Sequence, residues 1–379
     1  MQQEIKYVGF YQNPLGSSKR NYALPATNKM DYIISAINEA GFKVVIVTPS
    51  WMTEENEQPF YEATKINKLS KWKRVISVNS WKTSNRPFLY VKIIWSWLWL
   101  MFWLICNVKK DEKILVYHST WLSLPIILAK KINKFHLILE VEEIYSDVFT
   151  LNRFFDILER KIIKEADSFL FSTELLIDKI AEGRPFKVIN GNYQIFDILN
   201  TPANDGRIHL VYAGIIDSHK AGAFNAVESA LSLPENYVMH IIGFGEVEDL
   251  KLRINEINKI SKCEVTYDGL KSGLDFVKFC QSCHIGLSTQ KMDGDYLNTS
   301  FPSKILTYLG LGLQVVSCEV DCVKHSKIGS YVTFYEIDSP QAIAEAIKKI
   351  DVKALNNPRK KIKELHTEFV LKLKKMLTV

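Results

Sequence analysis

Short apolar runs rich in β-branched residues alternate with longer stretches of helical periodicity along most of the chain, and this alternation constrains the fold more than any other feature. Ile5–Phe10 reads as a strand, Leu24–Ala40 as a helix that stops at Gly41, and Lys43–Thr48 as a second strand. Strand, crossover helix and strand imply a parallel pair with a right-handed connection. The pattern recurs with strand Lys113–Tyr117, helix Trp121–Ile132, strand Phe135–Val141, helix Asn152–Ala166, strand Ser168–Phe171, helix Thr173–Ala181 and strand Phe186–Ile189. Residues 190–207 carry Gly, Pro, Asn and Asp without periodicity and read as a linker.

A second series follows. It comprises strand Ile208–Tyr212, helix Ala221–Leu231, strand Tyr237–Ile242, helix Val247–Ile260, strand Glu264–Tyr267, helix Leu274–Cys280, strand Ile285–Leu287, helix Pro302–Leu311, strands Gln314–Ser317 and Tyr331–Phe334, and helix Gln341–Ile350. Two doubly wound α/β domains are therefore expected, over residues 1–195 and 208–355, with a basic helix at 356–379 that packs back toward the first domain. In such sheets ligands bind at the C-terminal ends of strands, which makes a cleft between the domains the expected site. A length of 379 residues suits two domains, and 47% apolar with 24% charged residues excludes a disordered chain. The net charge of +6 is too mild for a dedicated nucleic-acid binder, yet it suits a phosphate-bearing ligand or an anionic membrane surface. Six cysteines do not make a disulfide scaffold, and MQQEIKYVGFYQNP has no basic segment leading into an apolar core, so a cytoplasmic location is expected.

Three features of the second half point to an anionic ligand. Gly214 ends the strand Ile208–Tyr212, and Lys220 lies just before a helix start, where free N–H groups and an ammonium can hold an anion; a surface turn with a solvated lysine is the plainer reading. Gly243-Phe244-Gly245 opens like a dinucleotide fingerprint, but Glu248 stands at the third glycine position; what remains is either a turn that walls off a flat base or a structural turn. The loop Gln290–Ser300, rich in hydroxyl, amide and carboxylate groups, runs into Phe301-Pro302-Ser303-Lys304. Ser300 suits an N-cap and Pro302 a first helical turn, which would place Ser303 and Lys304 where a helix N-terminus meets a diphosphate, while Thr299 and Ser300 suit a sugar; an ordinary capped surface loop is the alternative. Cys280-Gln281-Ser282-Cys283-His284 matches a haem-attachment pattern by accident, because it bridges a helix and an apolar strand. A four-thiolate zinc site from Cys280, Cys283, Cys318 and Cys322 is disfavoured because these positions read as core, and no metal ligand set is expected.

In the first half, Asn13 and Gly16 lie in the first strand-to-helix loop, His118 ends the strand Lys113–Tyr117, and Glu140, Glu142 and Glu143 end the strand Phe135–Val141. Close carboxylates repel, so at least one should be driven toward its protonated form. A carboxylate there can accept a proton from an acceptor hydroxyl, or belong to a solvated acidic turn; His118 is either a structural hydrogen bonder or a catalyst.

Residues 88–106, FLYVKIIWSWLWLMFWLIC, carry a single charge, Lys92. Trp95, Trp99 and Trp103 share one helical face. The segment is long enough to span a bilayer, but it sits between αβ elements of one domain, so a buried core helix or an interfacial helix is expected. Trp72, Lys73, Arg74, Trp81, Lys109 and Lys110 enrich its surroundings in aromatic and basic groups, and the C-terminal Arg359, Lys360, Lys361, Lys372, Lys374 and Lys375 form either a further basic surface or a solvated helix face.

The series Tyr212-Ala213-Gly214, Lys220, Ile241-Ile242-Gly243-Phe244-Gly245, Tyr267-Asp268-Gly269 and Phe301-Pro302-Ser303-Lys304 through Val316 resembles the C-terminal half of GT-B glycosyltransferases, nearest to glycosyltransferase family four of the bacterial surface-polysaccharide type. Leu139 to Tyr145, Glu165 to Ser168 and Ile189-Asn190-Gly191 resemble that family's acceptor-domain landmarks. The resemblance implies a sugar transferase in cell-surface polysaccharide synthesis. It would use a nucleotide-diphosphate sugar (UDP-sugar the expected donor) and a glycan or lipid-linked acceptor, with retention of configuration, no metal and no nucleic-acid partner. It implies Gly214, Gly243 and Gly245 near the nucleotide, Lys220 and Lys304 on the diphosphate, Thr299, Ser300 and Ser303 at the sugar-phosphate end, Asn13 and Gly16 on the acceptor side, and Glu143 with His118 as catalytic candidates. The protein would then work at the inner face of the cell membrane, touching it through 88–106. Four positions depart from the family pattern: Ile215 stands where an arginine is common, Thr299 and Thr307 where glutamates are common, and Gln314 where a proline is usual. These departures keep open a second expectation, a non-catalytic GT-B partner subunit of a glycosyltransferase complex.

Overall fold

The structure, a computed structural model, describes residues 3–13, 16, 18–56, 60–148, 150–219, 221–292, 301–354 and 357–378. It divides into two compact units, Met1–Asn190 with Glu368–Val379, and Gly191–Thr367.

The first unit runs β1 (Glu4–Val8), α1 (Leu24–Glu39), β2 (Lys43–Thr48), β3 (Tyr61–Glu62), β4 (Lys65–Lys68), β5 (Lys73–Ser77), β6 (Ser80–Trp81), α2 (Arg86–Asn107), β7 (Lys113–Tyr117), α3 (Thr120–Asn133), β8 (His136–Val141), α4 (Tyr145–Val148), α5 (Arg153–Glu165), β9 (Ser168–Phe171) and β10 (Phe186–Val188). Its sheet has the order β10-β9-β8-β7-β1-β2-β5-β4, parallel except for the edge strand β4. Strand runs such as KILVY and KVVIVT are almost wholly buried because helices cover both faces of a parallel sheet. The chain winds outward from β1 through β2 and β5, then resumes on the other side at β7, so the switch point lies between β1 and β7.

The segment 61–81 holds four strands that the sequence did not announce. They are short, and one pair, β3 with β6, forms a separate antiparallel ribbon. A buried ion pair fixes this region. Arg20 donates to Glu62 at 2.6 Å through Nη2 and at 3.1 Å through Nε, and through Nη1 to the carbonyls of Ser50 (2.6 Å) and Val78 (2.8 Å). Burial would raise the Glu62 carboxyl, but hydrogen bonds from Ser18, Arg20 and Lys65 outweigh it and lower the pKa to about 2. The helix expected over 173–181 is instead a single π-type turn, Ile177–Ala181, closed by Glu182 at φ +48° and Gly183 at φ +77°.

The second unit runs β11 (Ile208–Ile216), α6 (Gly222–Ser229), β12 (Tyr237–Gly245), α7 (Val247–Ile257), β13 (Glu264–Tyr267), α8 (Gly273–Gln281), β14 (Ile285–Ser288), α9 (Ser303–Leu311), β15 (Gln314–Cys318), α10 (Asp321–Lys324), β16 (Val332–Tyr335), α11 (Pro340–Lys348) and α12 (Pro358–Thr378). Its six strands are all parallel in the order β13-β12-β11-β14-β15-β16, with the switch point between β11 and β14. The stretch expected as a linker is packed into this unit. Buried Gln281 accepts from the amides of Leu199 (2.8 Å) and Asn200 (3.1 Å) and donates to the Asp197 carbonyl (2.8 Å). The last helix begins in the second unit and ends in the first. In the first unit Phe369 stacks on Tyr32 with ring centroids 6.1 Å apart, and Lys113 donates to the Met376 carbonyl at 2.7 Å.

Arg20→Met removes the guanidinium half of an ion pair whose partners are both below 5% exposure. We expect a loss of about 3–5 kcal/mol in chemical denaturation.

Candidate functional site

At the switch point of the second unit a pocket opens at the C-terminal ends of β11 and β12 and the N-terminal turn of α9, lined among others by Gly214, Gly243, Phe244, Leu270, Ser303 and Lys304. The Lys304 ammonium lies 4.2 Å from the centroid of the Tyr212 ring and donates to its hydroxyl at 3.0 Å. A cation over an aromatic face is held partly by the ring quadrupole. It lies so close to β11 that a Cβ on Gly214 would stand 2.3 Å from it. A side chain at 214 would have to displace the end of this lysine.

Tyr308, fully buried one turn further along α9, accepts from the Ala213 amide at 2.8 Å and so ties the helix to β11. Its ring rests on Gly286, where a Cβ would come within 2.4 Å. The opposite wall is the turn after β13. Tyr267 donates to the Gly243 carbonyl at 2.9 Å, and the Gly243 amide donates to Gly269 at 3.2 Å. A polar row backs this turn. Asp268 meets His240 (3.1 Å) and Thr266 (2.7 Å), and His240 meets His209 (2.9 Å).

The structure brings Gly214, Gly243, Ser303 and Lys304 together and adds Tyr212, Thr307, Tyr308, Leu270, Lys271 and Phe276. Lys220, Thr299 and Ser300 lie outside the described residues. Two expectations need correction. Gly243-Phe244-Gly245 is not a turn. β11 and β12 stay paired through Ile216 and Gly245, and a Cβ at Gly243 would fall 1.8 Å from the Gly214 carbonyl oxygen. Gly245 packs against Ile216 in the same way and does not line the pocket. The second correction concerns the start of α9. Its N-cap is Pro302, in extended backbone and with no side-chain cap, rather than Ser300. The Pro302 carbonyl accepts from the Ile305 amide at 3.1 Å, so Ser303 and Lys304 stand in the first turn, at the positive end of the helix dipole.

In the first unit the candidate residues cluster at the ends of β1, β7 and β8. Asn13 is buried, and its carbonyl accepts from the Gly16 amide at 3.0 Å. Glu140 is fully buried and accepts from the Tyr7 hydroxyl; Glu142 pairs with the buried Lys29 at 3.2 Å. Burial, and then the nearby Glu142 charge, push the Glu140 carboxyl up to about 8. His118 does not face solvent. Its Nδ1 lies 3.3 Å from the Glu143 carbonyl oxygen and its Nε2 lies 3.5 Å from Glu159. Burial lowers its pKa, while the Glu159 charge opposes that shift. Glu159, which the sequence reading passed over, accepts from the amides of Tyr145 (2.7 Å) and Ser146 (3.0 Å). His118 and Glu159 therefore both hold the segment that carries Glu143.

No protein-family model matches the chain, and no curated protein matches it by sequence. Solved structures do. Sucrose-phosphate synthase from Thermosynechococcus elongatus superposes with a TM-score of 0.71 at 13% identity, covering 99% of this chain and 98% of that one. The fold is GT-B. HepE of Anabaena, solved with UDP and glucose, gives 0.61 at 12% identity with full coverage of both chains. WaaG, a glycosyltransferase involved in lipopolysaccharide biosynthesis, gives 0.57 at 12% identity and 99% coverage of each chain. These neighbours share two Rossmann-like units with this chain, and at such identity the likeness speaks to architecture alone.

A carboxyl whose folded pKa is raised is best tolerated while protonated. The Glu140 contribution should therefore favour folding at low pH and be lost as pH rises from the unfolded value near 4.5 through about 8. Melting temperatures of wild type and Glu140→Gln between pH 5 and 9 check this. The wild type should lose stability across that range and the variant should lose less.

Proposed function

We propose that this protein is a glycosyltransferase that moves a sugar from a nucleotide-diphosphate donor, with UDP-sugar as the donor class, to a glycan or lipid-linked acceptor. The observation that carries the reading is the pocket in which the Lys304 ammonium and the first turn of α9 meet between apolar walls. A departing diphosphate needs positive charge fixed in advance, and a lysine at a helix N-terminus supplies it without a metal ion. Phe244 and Leu270, both largely exposed at the rim, suit the faces of a base. Ser303 and Thr307 add hydroxyls on the α9 side.

Two fold neighbours support the donor class: HepE was solved with UDP and glucose, and the Escherichia coli trehalose-6-phosphate protein with UDP-2-fluoro glucose. The likeness to WaaG, a glycosyltransferase involved in lipopolysaccharide biosynthesis, favours a role in surface-polysaccharide synthesis. In this reading the first unit binds the acceptor, Glu143 takes part in activating its hydroxyl, and the anomeric configuration is retained. The protein works on the cytoplasmic side of the membrane and touches it peripherally. Thr307 at the pocket, where the family commonly places a glutamate, implies a ribose contact through a hydroxyl instead of a carboxylate.

Thermal shift with UDP, GDP, ADP and CMP tests the reading. UDP should raise the melting temperature of the wild type, and Lys304→Ala should weaken UDP binding at least tenfold in calorimetry, in line with a charge-assisted contact of about 1.5–3 kcal/mol. Gly214→Ala, which puts a methyl where the ammonium sits, should weaken it as well. A wild type that no nucleotide stabilises would contradict the proposal. Release of UDP from UDP-sugar by the purified chain alone would set aside the partner-subunit alternative.

A further inference from the structure

α2 is built inside out. It spans 22 residues, about 33 Å of helix. The only charge between Phe88 and Cys106 is Lys92, and Lys92 is turned inward, with 1% of its surface exposed. Its ammonium donates to the carbonyls of Met52 (2.9 Å) and Trp81 (3.2 Å), and Ser96, one turn on, is buried beside it. The outward positions include Phe88, Tyr90, Val91, Ile94, Trp95, Leu98 and Phe102, each between 39% and 64% exposed. A helix on a water-facing surface carries its polar residues outside. Here packing has taken the charge in and left a stripe of large apolar groups outside, longer than a scatter of single surface apolar residues.

The neighbouring helices say what covers it. α3 packs beside α2 and α5 beside α3. Apolar Trp121 and Ile132 of α3, with Phe154 and Ile157 of α5, are also exposed. Among the described residues of these three helices, the exposed charges are Arg86, Lys131, Arg153, Arg160, Lys161 and Lys164, and no acidic residue is exposed. Asp156 and Glu165 are half-buried, and Glu159 is fully buried. A layer that offers apolar groups and only positive exposed charge repels a second copy of itself placed face to face. It complements a surface with an apolar interior and an anionic boundary.

We infer that the outer face of α2, with the exposed cations of α3 and α5, docks the first unit onto an anionic lipid bilayer, with α2 lying in the plane of the interface. This deepens the membrane-facing part of the proposed function, and it stands apart from the transfer chemistry because none of these residues lines the donor pocket.

The test is co-sedimentation of the full chain with vesicles of phosphatidylcholine alone or mixed with phosphatidylglycerol. We expect binding to the anionic vesicles, weakened by salt, and little to the neutral ones. The double variant Leu98→Glu with Phe102→Glu, at exposed positions, should keep its circular dichroism spectrum, its melting temperature and its UDP binding while losing about tenfold or more in vesicle partitioning. Lys161→Gln with Lys164→Gln should keep some binding and lose part of its salt sensitivity. The inference is overturned if the wild type ignores anionic vesicles, or if the glutamate variant binds them as well as the wild type. It is equally overturned if light scattering shows a wild-type dimer that the glutamate variant converts to monomer while vesicle binding is absent, since the face would then belong to a second copy. Loss of UDP binding in Lys304→Ala with vesicle binding intact would separate the two readings.

Discussion

β11 is the strand from which the second sheet departs in both directions, and the pocket exists because two neighbours diverge there. Parallel pairing with β12 continues as far as Gly245, whereas pairing with β14 involves only Leu210 and Val211. The far end of β11 is therefore covered by α9 on one side instead of by a strand. That leaves the Gly214 backbone open to Lys304, and the absence of a side chain at Gly214 lets the ammonium settle against Tyr212. Tyr308 and Gly286 hold the helix at that distance. The cation is placed against the Tyr212 ring by the backbone geometry around Gly214.

The first unit solves a different problem. Its strand ends carry loops that apolar packing alone does not hold, and it pins them with buried polar groups: Arg20 with Glu62, His118 with Glu159, and Tyr7 with Glu140. Each such group costs desolvation and is tolerable only when its partners satisfy it. Glu62, with three donors, is held as a carboxylate; Glu140 is pushed toward the neutral acid by burial and by the neighbouring Glu142 carboxylate, which the Tyr7 hydrogen bond and the Lys29 charge only partly oppose. Opposite shifts in two buried glutamates of one unit show that burial alone does not set the charge state and that the partners decide it.

α2 joins these two themes. Lys92 is pinned like the other buried polar groups, and its inward turn determines what the helix shows outside. The core beneath it takes Leu100 and Leu104 from the same face, in contact with the main cluster of the first unit. Once those positions are committed to packing, the opposite face presents Tyr, Val, Ile, Trp, Leu and Phe.

The sequence by itself determined the architecture, because strands buried on both faces and helices of period 3.6 leave separate marks in the order of residues. Strands Lys43–Thr48, Lys113–Tyr117, Ser168–Phe171 and Glu264–Tyr267 stand where periodicity puts them, and so do most of the helices around them, the stretch 173–181 excepted. It also singled out Gly214, Gly243, Ser303 and Lys304, since glycines at strand ends and a lysine at a helix start are local signals. It did not show the strands of 61–81, which are too short to display alternation. Nor did it show Tyr212, Tyr308 and Glu159 as site-builders, because their partners lie far along the chain: Lys304 is 92 residues from Tyr212, and Tyr308 is 95 from Ala213. Only tertiary structure decided that His118 faces Glu159, that Gly245 belongs to strand pairing, and that Lys92 turns inward. Those outcomes depend on which surfaces meet across the sheet, and local periodicity carries no information about that.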